Sequence, residues 1–201
     1  MTRIVTQVGP ADHGRPMSLE EFDRAEGQEG HLYELSRGII TVTDVPGLEH
    51  QAQVAATHEQ LVSYKLQHPG VVYRVVEGGS AKILLWELQS ERHPDLFLYK
   101  SHPTDRENVW STWVPELVVE VVSRSSRHRD YEERPEEYLR FGVSEYWIID
   151  HEKREMLVLR RHGGRWVRKV VVEQDVHETK LLPGLRFALA PVFAAADQER
   201  R

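Results

Sequence analysis

Two carboxylates interrupt apolar stretches of this chain and carry its most legible chemistry. Asp95 follows Pro94 and leads into Leu96, Phe97, Leu98 and Tyr99, while Glu120, 25 positions on, stands among Leu117, Val118, Val119, Val121 and Val122. Such runs have the propensity of strands, and a carboxylate buried among them is costly unless something compensates its charge. An arginine partner is one compensation. A divalent cation shared by both acids is the other, because hard cations take oxygen ligands from carboxylates and backbone carbonyls. Were the two strands neighbours, both side chains would converge on one ion, with the carbonyl of Val121 or Val122 as a further ligand. Glu34, inside Leu32-Tyr33-Glu34-Leu35, is a third acid caught in a strand-like run.

The elements that must position these acids follow from periodicity and turn residues. Ser18 with Glu21 three positions later reads as a capping box that opens a short helix, ended by Gly27 and Gly30. Leu32 to Leu35 and Gly38 to Thr43 read as a hairpin across Ser36-Arg37. Residues 49 to about 67 carry Val54, His58, Leu61, Val62 and Lys65 at helical spacing and form the strongest helix candidate. Val71 to Val76 and Lys82 to Trp86, separated by Gly78-Gly79, read as a second hairpin leading into the Asp95 strand. After the Glu120 strand, a Ser- and Arg-rich loop reaches Asp130 and a helical stretch from Tyr131 to Arg140, in which Pro135 requires either a start near Arg134 or a local irregularity. The strand Tyr146 to Ile149 then completes a βαβ-like unit whose two strands are expected to be parallel. Met156 to Arg161 and Trp166 to Val172 flank Gly163-Gly164 as an outer hairpin. Residues 1–16 read as a flexible arm, 17–190 as a single domain, and 191–201 as a charged tail.

Composition narrows the function classes. A chain of 201 residues with 40% hydrophobic and 29% charged residues is near the globular averages and long enough for a core without staples. The absence of cysteine excludes disulfides, thiolate zinc sites and thiol nucleophiles. A net charge of -6 argues against sequence-independent coating of nucleic acid, but it is compatible with an acidic metal site flanked by basic groups. No apolar run approaches the roughly 18 residues of a membrane span, and the N-terminus lacks a signal-peptide core, so a cytoplasmic protein without a membrane partner is expected. No Gly-rich phosphate loop, Gly-x-Ser-x-Gly elbow or paired zinc-spaced histidines occur.

The ordered set of Tyr33-Glu34-Leu35, Pro94-Asp95, Glu120-Val-Val-Ser123, Asp130, Tyr138 and Gly142-Val-Ser-Glu-Tyr-Trp-Ile-Ile-Asp150 resembles the Uma-type restriction endonuclease family, within the PD-(D/E)XK nuclease superfamily. The resemblance runs from about Ser18 to Phe187. It implies an α/β fold of the restriction endonuclease-like kind, a mixed central sheet flanked by helices, here with additional N-terminal and C-terminal hairpins. It also implies Mg²⁺ or Mn²⁺ as cofactor, DNA as substrate and a homodimer. Asp95, Glu120 and Glu34 then become metal ligands and catalytic residues, with Val121 offering its carbonyl.

The superfamily places a lysine two positions after the second acid, where Val122 stands here. In the Uma-type family a lysine of the following helix, four positions after an Asp and four before a Tyr, commonly replaces it. Between Asp130 and Tyr138 that slot holds Arg134. A guanidinium keeps the charge and can clamp phosphate, but it cannot give up its proton as a base. His50 stands where family members often carry a histidine and could contact phosphate or a metal-bound water. Three readings remain open from the sequence. One is a metal-dependent endodeoxyribonuclease. Another is a weakened or inactive relative that binds nucleic acid. The last is an interaction protein whose Asp95 and Glu120 pair with Arg92, Arg124 or Arg127.

Overall fold

The structure is a computed structural model in which residues 6–200 are described. In chain order the elements of the first half are β1 (Gln7–Val8), α1 (Leu19–Phe22), β2 (Glu26–Gly27), β3 (His31–Ser36), β4 (Ile39–Asp44), α2 (Leu48–Gln67), β5 (Arg74–Glu77), β6 (Ile83–Leu85), β7 (Ser90–Arg92) and β8 (Leu96–Tyr99). The second half adds α3 (Val109–Thr112), β9 (Leu117–Val121), α4 (Arg134–Phe141), β10 (Glu145–Asp150), β11 (Glu155–His162), β12 (Arg165–Val172), β13 (Val176–His177), β14 (Phe187–Ala188) and α5 (Ala190–Glu199). Two compact units result. One takes the chain up to residue 45 together with 82–93, and the other takes 46–81 and 94–201.

The first unit is built on a four-stranded sheet in the order β4-β3-β7-β6. Its β3–β4 hairpin turns through Arg37 (φ 50) and Gly38 (φ 79), both left-handed, the geometry that matches the twist of a two-residue hairpin. The Ser18 hydroxyl accepts from the Glu21 amide at 3.3 Å, and the Glu21 carboxylate accepts from the Ser18 amide at 3.2 Å, so the expected capping box starts α1. Of the segment read as an arm, residues 1–5 lie outside the described residues. From Gln7 it pairs as β1 with β2, in parallel.

The second unit carries the larger sheet, in the order β12-β11-β10-β9-β8-β5, with β9 and β10 parallel and the other neighbours antiparallel. Every residue of β8, β9 and β10 is buried, which is why these strands read as continuous apolar runs and not as alternating ones. Leu96, Leu98, Val119, Trp147 and Ile149 pack with Leu61 and Tyr64 of α2 and Val192 and Phe193 of α5. Since strand side chains alternate, Glu120 projects to the opposite face from Val119 and Val121, the face that α4 covers through Tyr138.

Two expectations change. Residues 71–76 do not pair with 82–86. Instead β5 pairs with β8, β6 pairs with β7, and Gly78–Ser80 form a 3-10 turn. Pairing with the buried β8 lets Val75 pack against the core, a gain that an isolated two-stranded ribbon could not supply. Residues 190–199, read largely as charged tail, form α5. Pro191 stands in its first turn, and Val192, Phe193 and Ala196 are buried. Arg154 and His151 hold Asp197 of this helix at 2.9 and 2.8 Å.

Candidate active site

The site grows from the register of two antiparallel strands. Leu96 faces Val119 and Phe97 faces Val118, so Asp95, one residue before β8, comes opposite Glu120. The pairing is locked by side chains. The Val121 amide donates to Asp95 Oδ2 at 2.7 Å, and the Asp95 amide donates to Glu120 Oε2 at 3.3 Å. Each acid therefore replaces a ladder bond at the strand ends, which is a structural reason for carboxylates within apolar strands.

His50, in the first turn of α2, brings its Nε2 to 3.2 Å from Asp95 Oδ2 and 3.0 Å from the Val121 carbonyl oxygen. Burial disfavours a charge on this imidazole, but the Asp95 carboxylate and the Val121 carbonyl more than offset that, so its pKa lies above the ordinary histidine value. An imidazole nitrogen, a carboxylate oxygen and a carbonyl oxygen thus meet.

On the other face of the sheet, α4 supplies a file of side chains four apart. The Tyr138 hydroxyl donates to Glu120 Oε1 at 2.7 Å, and Arg134 Nη1 reaches the same oxygen at 3.0 Å and Asp130 Oδ1 at 2.5 Å. Asp130 is completely buried and Arg134 is 5% exposed, so this is an interior ion-pair network and not a surface bridge. Burial raises the Asp130 pKa, with Arg134 and the Ser126 hydroxyl, 2.6 Å away, pulling the other way. Tyr146 fixes the backbone here by donating to the Asp130 carbonyl at 3.0 Å. The entry to this helix is a π-helical turn, Arg129–Glu133, in which the Arg134 amide donates to the Arg129 carbonyl. Pro135 accounts for it. It has no amide hydrogen and its ring crowds the carbonyl four residues back, so the ladder widens where the proline enters.

Of the residues singled out in the sequence, Asp95, Glu120, Val121, His50, Asp130 and Arg134 lie together in the larger unit. Glu34 belongs to the smaller unit, where its carboxylate accepts from the His93 amide at 3.0 Å and from Arg92 at 3.4 Å. Arg127 pairs with Asp150 at 2.5 Å and with Glu152 at 2.6 Å, while Arg124 approaches Glu152 at 4.0 Å. The arginine beside Glu120 is Arg134. Sequence reasoning gave Ser126 no role. Its spacing of four from Asp130 continues the file of Asp130, Arg134 and Tyr138, and that periodicity was the available signal.

Among the described residues, no group of three or more His, Cys, Asp or Glu side chains stands ready to hold a metal ion. Glu120 explains this, because Oε1 faces Tyr138 and Arg134. What does converge is mixed: an imidazole nitrogen, a carboxylate oxygen and a backbone carbonyl, 3.0 to 3.2 Å apart along the two measured edges. These are hydrogen-bond distances, and with the Nε2 proton released the same nitrogen, carboxylate and carbonyl are a donor set that a divalent cation such as Mg²⁺ or Mn²⁺ accepts.

Comparison with known proteins agrees with this architecture. A solved structure described as a putative nuclease belonging to DUF820, from Anabaena variabilis, is similar at a TM-score of 0.72 and 19% identity, covering 90% of this chain and 99% of that one. At that identity the likeness bears on the fold. The type IIG restriction endonuclease BpuSI matches at a TM-score of 0.36 and 16% identity, over 78% of this chain and 17% of its own, and no argument rests on it. No curated protein matches. The profile of the family described as "Uma2: Putative restriction endonuclease" matches residues 19–190, and the chain belongs to that family.

Proposed function

We propose that the protein is a divalent-metal-dependent endodeoxyribonuclease. The observation that carries this reading is the approach of His50 Nε2 to both Asp95 Oδ2 and the Val121 carbonyl, beside Glu120. His50, Asp95 and the Val121 carbonyl would hold Mg²⁺ or Mn²⁺, which when bound lowers the pKa of water and neutralises charge on the phosphoryl oxygens. Glu120 is positioned for the same centre by Tyr138 and Arg134. In this reading Arg134 is a positioning residue, since its guanidinium is buried between two carboxylates. It holds the Glu120 carboxyl in place through the 3.0 Å pair. Glu34 is a structural carboxylate of the smaller unit, matched to Arg92 and the His93 amide. No helix among the described residues is long and apolar enough to cross a membrane. A homodimer would let two such sites act on the two strands of a duplex, and sedimentation velocity tests that arrangement.

The burial of Arg134 favours one alternative, a relative that holds nucleic acid but cuts slowly or not at all. Supercoiled DNA incubated with Mn²⁺ separates the two. The nuclease reading expects nicked and linear products from the natural protein and none from Glu120→Gln or Asp95→Asn. The alternative expects no products from the natural protein and their appearance in Arg134→Lys. Equal cleavage by the natural protein and both acid variants would reject both readings.

A further inference from the structure

The larger unit contains a cavity of about 400 Å³ that the proposed chemistry does not use. His58, Arg74, Val76, Glu77, Trp110 and Trp113 line it. Its wall runs along β5, the edge strand of the six-stranded sheet, and leads to the acids. Glu77 faces Leu96, the residue after Asp95, and the Gly78 amide donates to the Asp95 carbonyl at 3.0 Å. The cavity therefore opens along the strand that borders the proposed metal site.

Its lining is unusual for an exposed sheet edge. Trp113 is stacked on Tyr99 at 3.5 Å between ring centres, and its Nε1 donates to the Ser101 carbonyl at 3.0 Å, so one indole face is backed and its orientation fixed. Beyond the lining, the Tyr73 ring lies 6.0 Å from Trp113 and 3.7 Å from His102. The exposed Arg74 sits over the Tyr73 ring at 5.3 Å. At the other end His58 and Glu77 approach to 3.1 Å and place donor and acceptor atoms at the cavity rim. An indole of fixed orientation, a second indole in the lining, a planar cation and a polar edge match the chemistry of a nucleotide. A nucleobase offers a π face to stack, an edge to hydrogen-bond and a phosphate to neutralise. The volume lies within the range of about 300–1,000 Å³ found for small-ligand sites.

We infer that this cavity receives an unpaired nucleobase of the strand being cut, so that the protein acts on single-stranded or locally opened DNA in preference to continuous duplex. Trp110 and Trp113 provide the stacking surface, Arg74 meets the adjoining phosphate, and His58 with Glu77 reads the base edge. A base in a continuous duplex is stacked on its neighbours and paying to extract it lowers affinity; an unpaired base carries less of that cost. The inference rests on the nuclease reading, and it adds which form of DNA is taken.

The test is binding of a 2-aminopurine-labelled single strand, and of the same sequence as a closed hairpin duplex, to the full chain in EDTA. The natural protein, Trp110→Ala and Trp110→Phe are compared, with thermal melts to establish folding. Loss of one stacking side chain is expected to weaken single-strand binding roughly 5- to 150-fold, with quenching of 2-aminopurine lost, little change for duplex, and recovery in Trp110→Phe. Arg74→Gln is expected to lower the salt dependence of single-strand binding by about one ion. Equal single-strand affinity in the natural protein and a folded Trp110→Ala overturns the inference. So does tighter binding of duplex than of single strand by the natural protein. If Mn²⁺-dependent cleavage of duplex persists in those cases, the nuclease reading survives without the base pocket. If the natural protein neither binds nor cuts any DNA, both fall.

Discussion

Replacing Arg134 by methionine would remove a guanidinium that pairs with both Glu120, at 3.0 Å, and Asp130, at 2.5 Å. Methionine keeps much of the side-chain volume, so the change is chiefly one of charge. Glu120 is 2% exposed and Asp130 is fully buried, so water cannot replace the lost guanidinium without opening the structure. Breaking a buried pair by deleting one partner typically costs about 3–5 kcal/mol at neutral pH. The pH dependence separates this cause from lost packing. Burial already raises the Asp130 pKa in the natural protein and Arg134 opposes that, so removing Arg134 raises it further and the folded variant binds more protons than the folded natural protein. Stability of the variant relative to the natural protein then rises as the pH falls from 7 toward 5, and part of the deficit is recovered. Urea denaturation at pH 7 and pH 5, followed by tryptophan fluorescence, measures both numbers. A deficit below about 1 kcal/mol, or one that is the same at the two pH values, would refute the buried-network argument.

Three further outcomes follow from the same geometry. Tyr138→Phe removes a hydroxyl bonded to the Glu120 carboxyl that pairs with Arg134, while keeping the ring edge-on to Tyr146 at 4.9 Å, and should cost about 1.5–3 kcal/mol in denaturation. His177 is 3% exposed and neither ring nitrogen has a hydrogen-bond partner; burial, with Lys169 and Arg160 nearby, depresses its pKa to about 4. The unfolded chain protonates near 6.5, so the fold loses up to about 3 kcal/mol as the pH drops from 6.5 to 4, and His177→Phe should flatten that part of the stability profile measured by chemical denaturation. Ser126→Ala removes the 2.6 Å bond to Asp130 and should lower the melting temperature by a few degrees, against none for Ser125→Ala.

The central architecture was legible because its signals are local. The apolar runs around Asp95, Glu120 and Tyr146 became β8, β9 and β10, and a helix between the last two left parallel pairing as the natural outcome. The Ser18 capping box and the β11–β12 hairpin were readable for the same reason. Partner choice over distance was not. Val71 to Val76 and Lys82 to Trp86 look like a hairpin because a diglycine lies between them, and nothing local reveals that β8 offers β5 a better-buried neighbour. In the site, the residues that meet were mostly visible, but their bonding was not. Arg134 was read as a phosphate contact, and whether a guanidinium faces substrate or two buried carboxylates is decided by how α4 packs on β9. The π-helical turn ahead of Pro135 was half visible, since the proline demanded an irregularity without fixing its form.

The proposed divalent cation site consists of His50, Asp95 and the Val121 carbonyl. Calorimetric titration of Mn²⁺ into the metal-free protein tests it most directly, with His50→Ala and Asp95→Asn alongside. The expected result is one ion per chain, abolished in Asp95→Asn and weakened roughly tenfold or more in His50→Ala. Identical Mn²⁺ binding by all three proteins, or none by the natural one, would contradict the account.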